Sequence, residues 1–204
     1  ISITSHELRS PMTPMRAQLQ MLMKEYFGKL NPKQKDAVDI VLRNTTRLDG
    51  IIVDFLEVSR IEAARLKFNF IKTNLGPHVK RLVDEMNVFM PEKKIKILLK
   101  LEKLPTFSID PDRTMQVLRN LINNAIKFSP ENSNIIITVK NKKDNIYFSV
   151  KDNGAGIPKK SQSRIFEPFF QAEQTIYWGH SGTGLGLAIC KGIIESQKGK
   201  IGFK

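Results

Sequence analysis

Apolar residues recur at alternating spacings of four and three early in the chain, at Leu8, Met12, Met15, Leu19, Leu22 and Tyr26. That spacing is the seam of a helix packing against other helices. Gly28 and the Asn31-Pro32 pair interrupt it, and it resumes at Val38, Val41, Thr45, Leu48, Ile52 and Phe55, flanked by Leu42, Ile51 and Val58. The pattern predicts a helical hairpin. Two helices leave wide apolar stripes uncovered, and a second hairpin would bury them in a four-helix bundle, so a homodimer is expected.

After Ile61-Glu62-Ala63-Ala64 the pattern changes to alternating helices and strands, which puts a domain boundary near Leu66 with no long linker and divides the chain into 1–66 and 67–204. An amphipathic helix is predicted over 75–90, with Val79, Leu82, Val83, Met86 and Met90 toward a sheet. Strands are predicted near 95–101, 135–140 and 146–151, a second helix over 112–128, and a last strand at 201–203. The fold class is therefore multidomain: an α hairpin, then an α+β domain with helices on one face of a mixed sheet.

Composition narrows the classes. With 41% hydrophobic and 26% charged residues over 204 positions the chain reads as ordinary globular protein. No apolar run approaches the roughly 18 to 20 residues that span a bilayer, so a soluble, cytoplasmic piece is expected. The single Cys190 excludes an internal disulfide and any multi-cysteine metal site. A net charge of +13 would suit a nucleic-acid binder. The lysines are scattered among acidic residues, however, with no aromatic interleaving for base stacking, and no nucleic-acid partner is expected. The chain begins within a predicted helix and ends in a predicted strand, and so reads as a fragment.

Four segments carry candidate chemistry. His6 and Glu7 precede the seam residue Leu8, and Ser10 follows His6 by one turn, so all three are expected to face solvent. Pro11 and Pro14 cannot donate to the carbonyls of Glu7 and Ser10, and a bend is expected just past the histidine. On this segment alone a surface histidine beside a kink remains open. In the 112–128 helix, Met115, Leu118, Ile122 and Ala125 share one side, and Arg113, Gln116, Asn120, Asn124 and Lys127 form a stripe opposite. A carboxamide oxygen suits Mg²⁺, and a lysine meets phosphate as a point charge; a plain polar face is the alternative.

The parity of Ile146, Phe148 and Val150 puts Asp152 on the apolar side of its strand, where a buried carboxylate needs a partner such as the exocyclic amine of a base. The run Asp152-Asn153-Gly154-Ala155-Gly156-Ile157-Pro158 is open to two readings, a hairpin turn or a close backbone approach to a ligand. Gly182-Thr183-Gly184-Leu185-Gly186 opens a helix with alternating glycines whose amides suit phosphates. It is neither a P-loop nor a dinucleotide fingerprint, for no Gly-Lys-Ser/Thr follows and the strand-first context is missing. Between these lie Phe166-Glu167-Pro168-Phe169-Phe170 and the polar stretch 171–181, which reads either as an anchored lid or as a surface loop.

In this order the segments resemble the histidine kinases of two-component signalling across nearly the whole chain. Ser5-His6-Glu7-Leu8-Arg9-Ser10-Pro11 is similar to the phospho-acceptor box, and Asn120-Leu121-Ile122-Asn123-Asn124-Ala125-Ile126-Lys127-Phe128 to the asparagine box. Residues 152–158, 166–170 and 182–186 resemble the first glycine box, the phenylalanine box and the second glycine box. The resemblance implies a dimerisation and phosphotransfer hairpin followed by an ATP-binding α/β sandwich of the Bergerat type. It implies His6 as phospho-acceptor and Glu7 as the base taking its proton, with Asn124 on Mg²⁺, Lys127 at phosphate and Asp152 on the adenine amine. Asn120, Gly154, Gly156, Gly182, Thr183, Gly184, Leu185 and Gly186 would complete the ATP site. The partner implied is a response-regulator receiver domain. Signal-sensing and membrane segments would lie upstream of this fragment. Some members reverse the signal with Thr or Asn four residues after the histidine, where this chain has Ser10, and some carry arginine after the residue matching Phe170, where this chain has Gln171. Topoisomerase and mismatch-repair ATPases resemble the nucleotide segments but leave the His6 hairpin unexplained. A pseudokinase scaffold would not need Asn124, Asp152 and the glycines.

Overall fold

The computed structural model describes residues 10–88, 94–143, 145–172 and 182–204. The chain divides into two compact units, Ile1–Leu66 and Lys67–Lys204.

In the first unit, α1 (Met12–Met23) and α2 (Pro32–Glu62) form an antiparallel hairpin. Pro14 falls in the first turn of α1, where the amide it lacks would have had no intrahelical acceptor. The connection turns through Glu25 (φ 61°) and Gly28 (φ 112°). Entry to α2 is fixed by a capping box: the Gln34 amide donates to Asn31 Oδ1 at 2.9 Å, and the Asn31 amide to Gln34 Oε1 at 3.0 Å. Pro32 then occupies the first helical turn, where its fixed φ favours the helix. The predicted seam splits into two sets. Met12 is buried, and Leu19, Leu22, Val38, Thr45 and Ile52 are half-buried within the hairpin. Met15 and Tyr26 are exposed, as are Val41, Leu48 and Phe55 at 50%, 47% and 44%.

The second unit is built on a three-stranded sheet of order β2-β4-β5, numbered after the short β1 (Ile71–Thr73) and with β3 (Phe107–Ile109) outside it. Strand β2 (Lys96–Leu101) runs parallel to β4 (Asn134–Lys142), and β5 (Asn145–Lys151) runs antiparallel to β4, pairing Val139 with Phe148 and Ile137 with Val150. Helices α3 (Leu75–Val88) and α4 (Pro111–Phe128) cover one face. Val79, Leu82, Val83 and Met86 of α3 and Leu118, Ile122 and Ala125 of α4 meet Ile97, Ile135, Ile137 and Val139 in the core. Alternation along β4 selects those residues, because successive side chains leave opposite faces of a strand. The fifth helix, α5 (Gly186–Ser196), lies against α4, with Ile189, Cys190 and Ile193 buried and the Cys190 thiol 3.8 Å from the Val117 carbonyl.

Side chains finish the element ends and edges. Asn87 on α3 receives the Ile97 amide (3.0 Å) and donates to the Ile97 carbonyl (3.2 Å), capping the open edge of β2 with one carboxamide. Asp110, the buried N-cap of α4, accepts from the amides of Arg113 at 3.0 Å and Asn69 at 2.7 Å, while its own amide donates to Gln197 Oε1 at 3.1 Å.

One sequence expectation, the last strand, is corrected, and two features had carried no expectation. The antiparallel pair β1 with β3 was not anticipated; three residues per strand are too few for a period of two to register. Residues 201–203 form no strand, having no ladder partner among the described residues. The stripe side of α4 is not an open polar face, because Val117 is buried there and α5 packs on the helix. Met90 lies outside the described residues.

Candidate functional site

The lower half of the α4 stripe is where the separated segments meet. The upper half is engaged with itself, since Arg113 donates to Gln116 Oε1 at 2.9 Å. Below it Asn120, Asn124 and Lys127 are each half-buried, at the spacing that aligns side chains along one helix face. Asn120 Nδ2 lies 3.5 Å from the Gly186 carbonyl, so the first turn of α5 starts against it. Lys127 Nζ stands beside Gly182, 3.0 Å from where a Cβ on that residue would sit, and 4.9 Å from the centre of the Phe128 ring. Such a cation over a ring face is attracted by its quadrupole. The polar end of α4 therefore faces both ends of the second glycine segment.

That segment is shaped by close packing. Gly184 has φ +72°, and a Cβ there would lie 2.7 Å from the Phe169 carbonyl carbon and 2.9 Å from the Phe170 oxygen. Only glycine permits this approach together with the left-handed backbone. Thr183 Oγ1 accepts from the Leu185 amide at 3.1 Å, and the fully buried Leu185 anchors the turn in the core. Gln171 Nε2 donates to the Gly182 carbonyl at 2.8 Å. In the phenylalanine segment, Phe169 has φ 62° and is exposed, and the Arg164 guanidinium lies 4.5 Å from the Phe170 ring while bonding Glu167 at 2.9 Å.

The first glycine segment also reaches α4. A Cβ on Gly154 would lie 3.0 Å from the carbonyl oxygen of Phe128, the last residue of the helix. Gly156 has φ +74° with open space around it. Asp152 is corrected here: it is exposed rather than buried. Strand β5 stops at Lys151, and Asp152 turns back so that its Oδ1 accepts from the Gly154 amide at 2.7 Å. Strand parity no longer applies to a residue in an Asx-type turn.

Of the acceptor residues, Ser10 lies in an exposed turn just before α1; His6 and Glu7 lie outside the described residues, as does 173–181 of the polar stretch. Among the described residues no three His, Cys, Asp or Glu side chains are grouped to hold a metal ion. A divalent ion would find hard oxygen in Asn124 and would take its other ligands from phosphates and water, the pattern Mg²⁺ favours. A shallow groove between α3 and α4, about 280 Å³ and including His78, Asp112 and Arg119, lies apart from these segments. Arg119 there is paired with Glu85 at 3.2 Å. The Gln171 contact with Gly182 had no sequence signal, because the two residues are eleven apart with no periodic pattern joining them.

A helical hairpin thus precedes an α/β domain whose two glycine segments converge on one asparagine-bearing helix. Residues 1–64 match the His Kinase A (phospho-acceptor) domain, and residues 109–204 match the family of histidine kinase-, DNA gyrase B- and HSP90-like ATPases. The chain is 35% identical over 206 residues to the signal transduction histidine-protein kinase BarA of Escherichia coli, covering 98% of this chain and 22% of that protein. It is 30% identical over 204 residues to the circadian input-output histidine kinase CikA of Synechococcus elongatus, covering 98% of this chain and 27% of that one. Among solved structures, full-length ShkA in complex with AMPPNP superposes with a TM-score of 0.79 at 28% identity, over 97% of this chain and 40% of that one. The catalytic domain of the histidine kinase ThkA matches with a TM-score of 0.55 at 31% identity, over 63% of this chain and 82% of that domain. The chain belongs to the histidine kinases. It spans about a quarter of the length of these two curated relatives. No helix among the described residues is long and apolar enough to cross a membrane.

Proposed function

We propose that this chain uses ATP to phosphorylate His6 and passes the phosphoryl group to an aspartate of a response-regulator receiver domain. The observation that supports it most is the convergence of Asn120, Lys127 and both glycine segments along the C-terminal half of α4, in a chain whose first 64 residues match a phospho-acceptor domain. In this reading Lys127 and the amides of residues 182–186 receive the phosphates, and Asn124 is the protein's ligand to Mg²⁺, which offsets charge on the transferring group. Asp152 presents the carboxylate oxygen left over from its turn bond to the adenine amine, and Gly154 and Gly156 let the backbone approach the base.

A neutral imidazole nitrogen of His6 attacks the γ-phosphorus in line. The bond to the β,γ-bridging oxygen breaks, ADP leaves, and Glu7 accepts the displaced ring proton. The histidine is consumed by this step, so turnover requires the receiver aspartate to relieve it. Ser10, four residues after His6, orients a water that attacks the regulator's phospho-aspartate and releases inorganic phosphate, a separate hydrolysis that ends the signal. The exposed heptad stripe of α2 supports a homodimer closing as a four-helix bundle.

The test is incubation with γ-labelled ATP and Mg²⁺. Label is expected on the protein as an acid-labile, base-stable adduct. His6→Gln should abolish it while ADP binding survives, and stable label on His6→Gln protein sinks the assignment.

A further inference from the structure

We infer that Gln171 is a positioning residue for the phosphate end of the nucleotide, through its hydrogen bond to the Gly182 carbonyl. The inference rests on the ATP site proposed above and assigns a role to a residue outside its glycines.

Besides the buried Leu185, the 182–186 turn is held at three places. At its far end the Gly186 carbonyl lies 3.5 Å from Asn120 Nδ2, a long contact. In the middle Gly184 is pressed against the backbone of Phe169 and Phe170. At the near end the Gly182 carbonyl accepts the 2.8 Å bond from Gln171 Nε2, and both residues are half-buried. A trans peptide is planar with its C=O and N–H on opposite sides, so pinning the Gly182 carbonyl also fixes the direction of the Thr183 N–H. Gly182 is also the residue beside Lys127 Nζ. One neutral side chain thus sets the backbone next to the cation that we assign to phosphate. The same carboxamide ties the end of the phenylalanine segment to the start of the glycine turn, so the Gly184 packing and the Gly182 bond hold in one register. Asp152 and Gly154, at the base end, touch neither group in the described contacts.

The experiment uses the 204-residue chain and two neutral substitutions. Gln171→Met keeps the length and removes the donor; Gln171→Asn keeps the donor and shortens its reach by one methylene. Neither adds charge near the phosphates. Calorimetric or ligand-observed NMR titrations would compare ATP with adenosine on each protein. Both variants should lose about fivefold in ATP affinity, the scale of one net hydrogen bond, with adenosine affinity unchanged. Wild-type affinity for ATP in both variants overturns the inference, and so does an equal loss for ATP and adenosine, which marks a general structural role. Failure of the unsubstituted chain to bind ATP at all would instead overturn the ATP-site reading on which the inference stands.

Discussion

Two residues of the nucleotide segments separate backbone geometry from ligand chemistry. At Gly184 a Cβ would intrude to 2.7 Å on the Phe169 backbone at a φ of +72°, whereas at Gly156 the φ of +74° is met by open space. Gly156→Ala should therefore cost about 1 kcal/mol of backbone strain alone, and Gly184→Ala about 2–4 kcal/mol because the phenylalanine segment must also shift. Thermal unfolding of the two variants side by side checks the ranking; equal shifts would contradict it. At Asp152 the prediction is the opposite kind. Asp152→Asn can still accept from the Gly154 amide, so the unfolding temperature should change little. It exchanges a carboxylate oxygen for an amide at the base-facing position, and ATP binding should weaken at least tenfold, the scale of a charge-assisted hydrogen bond. The sequence made the glycines legible as left-handed or close-approach positions. It misplaced Asp152 because strand parity holds only while the strand lasts, and where β5 ends is decided by its pairing with β4 at Ile136 and Lys151.

At the scale of elements, the helices and long strands were legible because of their periodic apolar faces, helped in the hairpin by the break at Gly28 and Asn31-Pro32 before α2. The joints between elements were not. Asn87 on the edge of β2, Asn69 and Gln197 on Asp110, and α5 against α4 join residues distant in sequence, and a polar side chain carries no mark of the backbone group it will satisfy. Asp110 shows what such a joint contributes. It caps α4 and also receives the Asn69 amide at the start of the second unit, while itself buried. Asp110→Ala removes a cap and leaves a part-buried amide without its acceptor, for a combined loss of about 2–4 kcal/mol. Urea denaturation should show a lower midpoint at unchanged slope, because the same surface is exposed on unfolding. A loss within about 0.5 kcal/mol, the ordinary range for surface substitutions, would mean that neither the cap nor the Asn69 bond contributes in solution.

For the whole molecule the decisive feature is the set of seam residues that the hairpin does not use. Val41, Leu48 and Phe55 stand seven residues apart on α2 and remain 50%, 47% and 44% exposed in the single chain. A helix keeps one face turned the same way every two turns, so the three form a continuous apolar stripe about 21 Å long. Covering such a stripe with its copy removes apolar surface from water at roughly 25 cal/mol per Å², which drives association. Leu48 is the middle member. Leu48→Glu would place a carboxylate at the centre of the interface, where burial without a partner costs several kcal/mol, but would leave it in water in the isolated chain. The variant should therefore stay folded by circular dichroism and sediment as a monomer at concentrations where the unsubstituted chain is a dimer. Thr46→Glu is the matched control, because position 46 lies about 200° around the helix from 48 and adds the same charge away from the stripe. If Leu48→Glu sediments as a dimer, the stripe is not the interface. The dimer then makes a second measurement possible: chains carrying His6→Gln mixed with chains carrying Asn124→Asp can label the remaining acceptor only by transfer between subunits. Label on that mixture marks transfer across the dimer, and Leu48→Glu in both chains should then abolish it together with association; no label on the mixture marks transfer within one subunit.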